Sequence, residues 1–226
     1  MSTAALARLE RYTACDVSDA LLKLKVPGAG FIADLSPYST KPGKEAESPT
    51  VAPVSTVLFA AKGEAPAEPA PNVPKDGHWS DATQPGTFVV MRQPPGQTNA
   101  ICGGIMALRI KMRRAKGIIV AGRVRDVQEL KRTDLPILAR GVSTVGSGGG
   151  SVPWATQVPL DIDGVVVSPG DVALHDPANG VVIIPRDKLD QVLEMLPGLV
   201  AADDRVKQDV LKGMSVHDAF KLHRGT

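Results

Sequence analysis

Aromatic side chains are scarce in this chain, at 4% of 226 residues. A core without them must be built from Val, Leu, Ile and Ala, which suits an α/β fold better than an aromatic-rich sandwich. Cysteine is limited to Cys15 and Cys102, far apart and without metal-ligand or redox spacing, so reduced intracellular thiols are expected. No charge of one sign dominates: 26 basic residues face 24 acidic ones, a net +2. No overall field therefore recruits nucleic acid or an anionic membrane. The densest basic run, Arg109 to Lys116, lacks interleaved aromatics for base stacking and reads as a solvated helix face. No apolar run approaches the ~18 residues of a membrane span, and the start has no signal-peptide core. A cytoplasmic protein is expected, with an organellar presequence in MSTAALARLER left open.

What is present is enough to bury a sizeable core: 43% hydrophobic content, fitting a single domain over 1–226. The chain is organised around Cys102 to Leu130, CGGIMALRIKMRRAKGIIVAGRVRDVQEL. Ile105, Leu108, Met112 and Ala115 recur at three- and four-residue steps, which predicts an amphipathic helix with Gly117 as its stop. Gly103 and Gly104 before it would let a ligand approach the backbone, and the free N–H groups near Ile105 and Met106 attract a carboxylate or phosphate. The alternative is a glycine turn and nothing more. Ile118 to Ala121 predicts a buried strand, with Gly122-Arg123-Val124-Arg125-Asp126 at its C-terminal end, where α/β folds bind ligands. Asp126 and Glu129, three apart, could share a hydrated divalent cation, or could be a helix cap and a solvated face.

GGIMALRIKMRRAKGIIVAGRVRD resembles the core motif of the regulator of ribonuclease activity A-like family. That family includes class II pyruvate aldolases acting on 4-hydroxy-4-methyl-2-oxoglutarate and 4-carboxy-4-hydroxy-2-oxoadipate. The likeness continues through Asp16 to Leu21, Leu138-Ala139-Arg140-Gly141, Val167 to Asp171, Asp176 and Gly180 to Pro185. The resemblance implies a swivelling β/β/α-type α/β domain, a central sheet or barrel flanked by helices, assembled as a trimer or hexamer with sites at subunit interfaces. It also implies Mg²⁺ or Mn²⁺ on Asp126, Arg125 on a 2-oxo acid, and the substrate carboxylate on amides at Ile105 and Met106, beside Gly103 and Gly104. The aldolases carry an aspartate where this chain has Gly104; another branch has glycine there and an acid three after the key aspartate, which Glu129 matches. That branch is linked to oxaloacetate decarboxylation as well as aldol cleavage.

Elsewhere, residues 3–10 and 16–24 read as helices, the second capped by Asp16 or Ser18, with Asp19 serving the helix dipole. Val51 to Ala60, Thr87 to Met91 and Pro136 to Ala139 read as strands, and Val158 to Pro185 as short strands broken by Asp163-Gly164, Pro169-Gly170 and Asn179-Gly180. GEAPAEPAPNVP opens a surface insertion at 63–80, whose His78-Trp79 reads as a self-packed loop tip, with substrate selection as the alternative. Gly146 to Ser151 reads as a linker or mobile lid rather than a phosphate loop. His175 and Asp176, adjacent on a strand, face opposite ways and do not form a metal pair. Lys188 to Leu222 carries helical periodicity. It holds Asp203, Asp204 and Asp209, one of which the resemblance could send to a neighbouring subunit's site. His217 and His223 read as exposed helix-end residues.

The function expected is a metal-dependent lyase releasing pyruvate from a 2-oxo di- or tricarboxylic acid, by aldol cleavage or oxaloacetate decarboxylation. Glu129 would take the proton that only the aldol reaction must remove. The alternatives are a non-catalytic protein that regulates a ribonuclease, and a lyase acting on another small molecule.

Overall fold

The computed structural model describes residues 3–66 and 68–225. Met1 and Ser2 of the candidate presequence, and Ala67 of the 63–80 segment, lie outside the described residues. The fold is mixed α/β, a large sheet flanked by helices, and no described helix is long and apolar enough to cross a membrane.

The sheet is built around β3 (Thr50–Ala61), a 12-residue strand with almost every side chain buried. Its first residues pair antiparallel with β11 (Val172–Asp176), which pairs with β12 (Gly180–Ile184) and then β1 (Phe31–Ile32). Its later residues pair in parallel with β4 (Phe88–Arg92), followed by β6 (Gly117–Val124) and β7 (Ile137–Val142), with β2 (Ser36–Ser39) at the edge. Two further strands attach to this path: β5 (Ala100–Cys102) on β6 and β8 (Ser151–Thr156) on β3. A separate hairpin joins β9 (Leu160–Ile162) to β10 (Val165–Val167).

Alternation along these strands divides the core. Phe88, Val90, Ile119, Ala121 and Leu138 point to an inner cluster shared with β9, β10, β11 and β12, so the sheet curls around it. Val89, Met91, Ile118, Val120, Ile137 and Ala139 point outward, under α3 (Gly104–Met112) and α4 (Val127–Lys131). On the other half, α1 (Thr3–Leu9), α2 (Ala14–Lys23) and α5 (Leu189–Leu211) cover β11 and β12. The chain ends in α6 (Val216–His223), set off from α5 by Gly213 at φ 96°.

Several expectations are corrected. Strand β6 runs on through Gly122 to Val124, so only Arg125 and Asp126 leave the sheet. Helix α3 stops at Met112, with Arg114 at φ 63°, well before Gly117. Gly117 instead opens β6 where the Phe88 ring occupies the space of a side chain. The buried side of α3 is Gly104, Ala107 and Ile110, while Ile105, Leu108 and Met112 are exposed. Small residues let the helix approach the sheet closely, and that turns the larger stripe outward.

The cap of α2 is Thr13, with Asp16 closing a capping box; Ser18 donates to the Ala29 carbonyl instead. A buried Asp176 supports the same helix start by accepting from Ala14 N at 3.0 Å. The basic run is not merely solvated: Arg109 pairs with Asp81, Lys111 with Asp134, and Arg113 donates to the Thr83 carbonyl. His223 is not a free helix end, since its Nε2 lies 2.8 Å from Asp209 and holds that carboxylate below its usual range. Asp203 is likewise engaged, by Arg224, and Asp204 pairs with Lys207. Ser147–Gly149 forms a 3-10 turn that leads straight into β8.

Candidate functional site

The site begins where β5 runs parallel to β6. Cys102 stands opposite Val124, so the chain leaves both strands side by side, placing Gly103 next to Arg125. Arg125 N donates to the Cys102 carbonyl at 3.0 Å, which fixes the junction. The gap is filled by side chains rather than backbone. A Cβ on Gly103 would come within 2.8 Å of Asp126 Oδ2 and 3.1 Å of Arg125 Cγ. Glycine here lets the Arg125 and Asp126 side chains approach the backbone, whereas the sequence pattern predicts room for a ligand.

Asp126 stands at the start of α4 in a left-handed conformation, φ 58° and ψ 45°. A non-glycine residue there carries strain, and such strain persists where the surroundings over-determine it. Its side chain makes no capping bond to α4. Instead Oδ2 accepts from Gly104 N at 3.3 Å and lies 3.4 Å from Arg125 Nε, and Oδ1 has no hydrogen bond among the described residues. An exposed carboxylate with an uncommitted oxygen is a hard donor, suited to a hydrated Mg²⁺ or Mn²⁺ that keeps most of its waters. Among the described residues no cluster of three or more His, Cys, Asp or Glu could hold a metal, so a resident ion would depend on Asp126, with Glu129 the nearest further carboxylate by position. The donor set fits that loosely held, water-rich coordination and not a structural metal cage.

Glu129 is close but placed differently. Its carboxylate packs directly on the Gly104 Cα, in the volume a side chain at 104 would fill, and its Cβ would lie 2.6 Å from a Cβ there. The missing side chain at 104 and the acid at 129 therefore compete for one space. Neither Gly104 nor Glu129 lines the adjoining cavity.

That cavity, about 170 Å³, is lined by Gly103, Ile105, Met106, Arg125 and Asp126 from the expected set. The first-turn N–H groups of α3 open toward this end of the helix, which has no side-chain cap at Gly103. Four further lining residues matter. Ser147 comes from the glycine-rich segment, whose Gly146 lies against the Arg125 guanidinium. Cys102 also borders the cavity, but burial pushes its thiol up to about 12, so it is not a thiolate nucleophile.

His78 and Trp79 complete the wall, correcting the expectation of a self-packed loop tip. Trp79 is buried, edge-on to Phe59 at 5.5 Å, and the 79–82 turn is tied to α3 by Arg109 and Asp81. His78 Nδ1 is 2.8 Å from Ser80 Oγ, which leaves Nε2 for other partners. The segment before them is held on β8, where Asn72 brackets Thr156 and Trp154 Nε1 donates to the Pro69 carbonyl. Only a substrate-selection reading of the His-Trp pair could have located them from sequence.

Two groups lie outside this cluster. His175 and Asp176 are buried in β11 on the far half of the sheet. Asp203, Asp204 and Asp209 of α5, one of which the resemblance could send to a neighbouring subunit's site, are engaged in the ion pairs described above.

A profile of the RraA-like family, described as Aldolase/RraA, matches residues 14–183. An uncharacterised protein of Methanocaldococcus jannaschii is 28% identical over 54% of this chain and 58% of its own length. Protein DlpA of Legionella pneumophila is 28% identical over 60% of this chain, but the match spans only 22% of DlpA. Among solved structures, an uncharacterised protein from Pseudomonas syringae superposes with a TM-score of 0.75 at 21% identity, covering 97% of this chain and 98% of that one. Streptomyces coelicolor RraAS2, described as an unusual member of the RNase ES inhibitor RraA protein family, gives 0.70 at 21% identity, covering 95% and 98%. At such identities the superpositions speak for the fold alone.

Proposed function

The chain belongs to the RraA-like, Aldolase/RraA family, and on that premise we propose that it is a divalent-metal-dependent carbon–carbon lyase releasing pyruvate from a 2-oxo dicarboxylic or tricarboxylic acid. The observation that carries this reading is the convergence on one small cavity of Arg125, the Asp126 carboxylate with its Oδ1 free of hydrogen bonds among the described residues, and the first turn of α3. As the resemblance implies, the protein works as a homo-oligomer, trimer or hexamer.

Asp126, with Glu129 nearby, would hold Mg²⁺ or Mn²⁺. A bound divalent ion supplies positive charge that stabilises the oxygen becoming negative as the bond breaks. The N–H groups of Ile105 and Met106 bind the substrate's C1 carboxylate at the positive end of α3. The Arg125 guanidinium, braced between Gly103 and Gly146, donates to the C2 oxygen and orients it. Trp79 closes one wall of the cavity.

When the C3–C4 bond breaks, its electron pair passes to C3 and is delocalised onto the C2 oxygen; a proton taken from solvent water then adds at C3 and yields pyruvate. In decarboxylation the C4 carboxylate leaves as CO₂ and no base is required. In retro-aldol cleavage the C4 hydroxyl proton must also go to a base as C4 becomes a carbonyl. Glu129 is the acid assigned that role, acting from behind Gly104; neutral His78 does not offer a base, since its Nδ1 accepts from Ser80 N and its Nε2 then carries the proton. Because Glu129 does not line the cavity, oxaloacetate decarboxylation asks less of this geometry than aldol cleavage.

The test is pyruvate release from oxaloacetate and from 4-hydroxy-4-methyl-2-oxoglutarate, with EDTA or Mg²⁺, subtracting the protein-free rate at the same metal concentration. Metal-dependent turnover lost in Asp126→Asn, and cut about 100-fold or more in Arg125→Lys, is expected. Glu129→Gln should depress the aldol reaction by about 100-fold while sparing decarboxylation. No turnover of either acid with Mg²⁺ or Mn²⁺ would overturn this reading and leave its two alternatives, a non-catalytic, ribonuclease-regulating protein and a lyase acting on another small molecule.

A further inference from the structure

The motif Leu138-Ala139-Arg140-Gly141 plays no part in the chemistry above, and the fold gives it another setting. Arg92 follows outward-facing Met91 by one residue, Arg140 follows outward-facing Ala139, and Arg123 precedes outward-facing Val124. By strand alternation all three arginines therefore stand on the inner face of the curled sheet. They lie toward the C-terminal ends of the parallel strands β4, β6 and β7, where they line a cavity of about 430 Å³ at the mouth of the inner core. The cavity with Asp126 is on the outer face, under α3, and shares no residue with this one.

The charges in this mouth do not cancel. Asp163 pairs with Arg140, and Asp161 is taken up by Gly164 N at 2.7 Å. Among the described residues the Arg123 guanidinium donates only to the Val142 carbonyl, at 3.0 Å, and lies across Gly141, where a Cβ would come within 2.7 Å of Nη1. The Arg92 side chain makes no hydrogen bond or ion pair among the described residues. Arg140 Nε is buried with no acceptor. A buried donor without a partner is costly, and guanidinium forks match the paired oxygens of carboxylate and phosphate groups. Barrel mouths and the C-terminal ends of parallel strands are also where small molecules commonly bind.

We infer that the mouth lined by Arg92, Arg123 and Arg140 is a second binding site, for a small molecule carrying two or more oxyanion groups. Its Arg140–Asp163 pair ties β7 to the β9–β10 hairpin, and the ligand's oxygens supply what Arg92 and Arg140 Nε lack. The site stands independently of the lyase reading.

Calorimetric titration of the full chain, without divalent metal, with pyrophosphate and separately with tricarballylate tests this. Saturable binding of either is expected, weakening as ionic strength rises. Pyrophosphate alone points to a phosphorylated ligand and tricarballylate alone to a polycarboxylate. Arg92→Gln and Arg123→Gln should each weaken binding roughly tenfold or more. The exposed Arg205→Gln on α5 and Asp126→Asn should leave it unchanged. With no side-chain hydrogen bond or ion pair at Arg92 to lose among the described residues, its variant is expected to fold even if Arg123→Gln does not. No saturable binding of either probe, binding indifferent to Arg92→Gln, or binding abolished by Asp126→Asn would overturn the inference.

Discussion

Position 104 shows how one absent side chain shapes the site. The Glu129 carboxylate rests where a Cβ would be, and its own Cβ is close behind, so Gly104→Ala cannot be absorbed by rotating a flexible tip. Helices α3 and α4 would have to separate, an overpacking cost of about 1–3 kcal/mol. Truncating the partner reopens that space. The double variant Gly104→Ala with Glu129→Ala should therefore recover much of the stability lost in the single one, read by urea denaturation as a coupling energy. Additive losses would show that the two residues do not compete for space. The same crowding explains how glycine at 104 and an acid at 129 go together: each is possible because of what the other lacks.

Helix α3 carries the sharpest contrast between pattern and packing. Its stripe Ile105, Leu108 and Met112 has the spacing of a core face, yet these side chains are 73%, 55% and 67% exposed. The sheet side is taken by Gly104, Ala107 and Ile110. An apolar stripe turned outward beside the site is what a homo-oligomer with sites at its subunit interfaces would bury, and Ile105 itself lines the candidate cavity. Leu108→Glu, placing a charge in that stripe, should shift the sedimentation profile to smaller species while far-UV circular dichroism stays unchanged. An unaltered oligomer would place the contact on another face. At the same scale, the Arg109–Asp81 pair joins this helix to the turn carrying Trp79, so the helix organises both walls of the cavity.

For the molecule as a whole, the buried His175 makes stability depend on pH. Burial, with Lys41 adding to it and Asp176 opposing, lowers its pKa to about 4, and its Nδ1 has no partner. Above pH ~6.5 the imidazole is neutral in folded and unfolded chains alike, and it carries no penalty. As pH falls toward 4, the unfolded chain binds a proton that the native one refuses, and stability drops by up to ~1.4 kcal/mol per pH unit. Below the folded value both forms are charged and this loss stops growing. His175→Gln should flatten the fall in thermal midpoint between pH 6.5 and 4.5 relative to the parent chain; an equally steep fall would assign the effect to other groups.

The amino-acid sequence by itself determined many of the elements and the stretch on which the candidate site is centred. Alternation and β-branched runs marked β3, β4, β6 and β12, and Gly103-Gly104 with Arg125-Asp126 marked a place where backbone and charge meet. Those signals are local, carried by residues within a few positions of one another. Only the tertiary structure decided which face of α3 is buried, because two stripes on one helix differ only in what they pack against. The same holds for Glu129 beneath Gly104, His78 and Trp79 in the cavity wall, His223 on Asp209, and the three arginines at one mouth. Each joins side chains whose nearness depends on strand order and register, which no local pattern encodes.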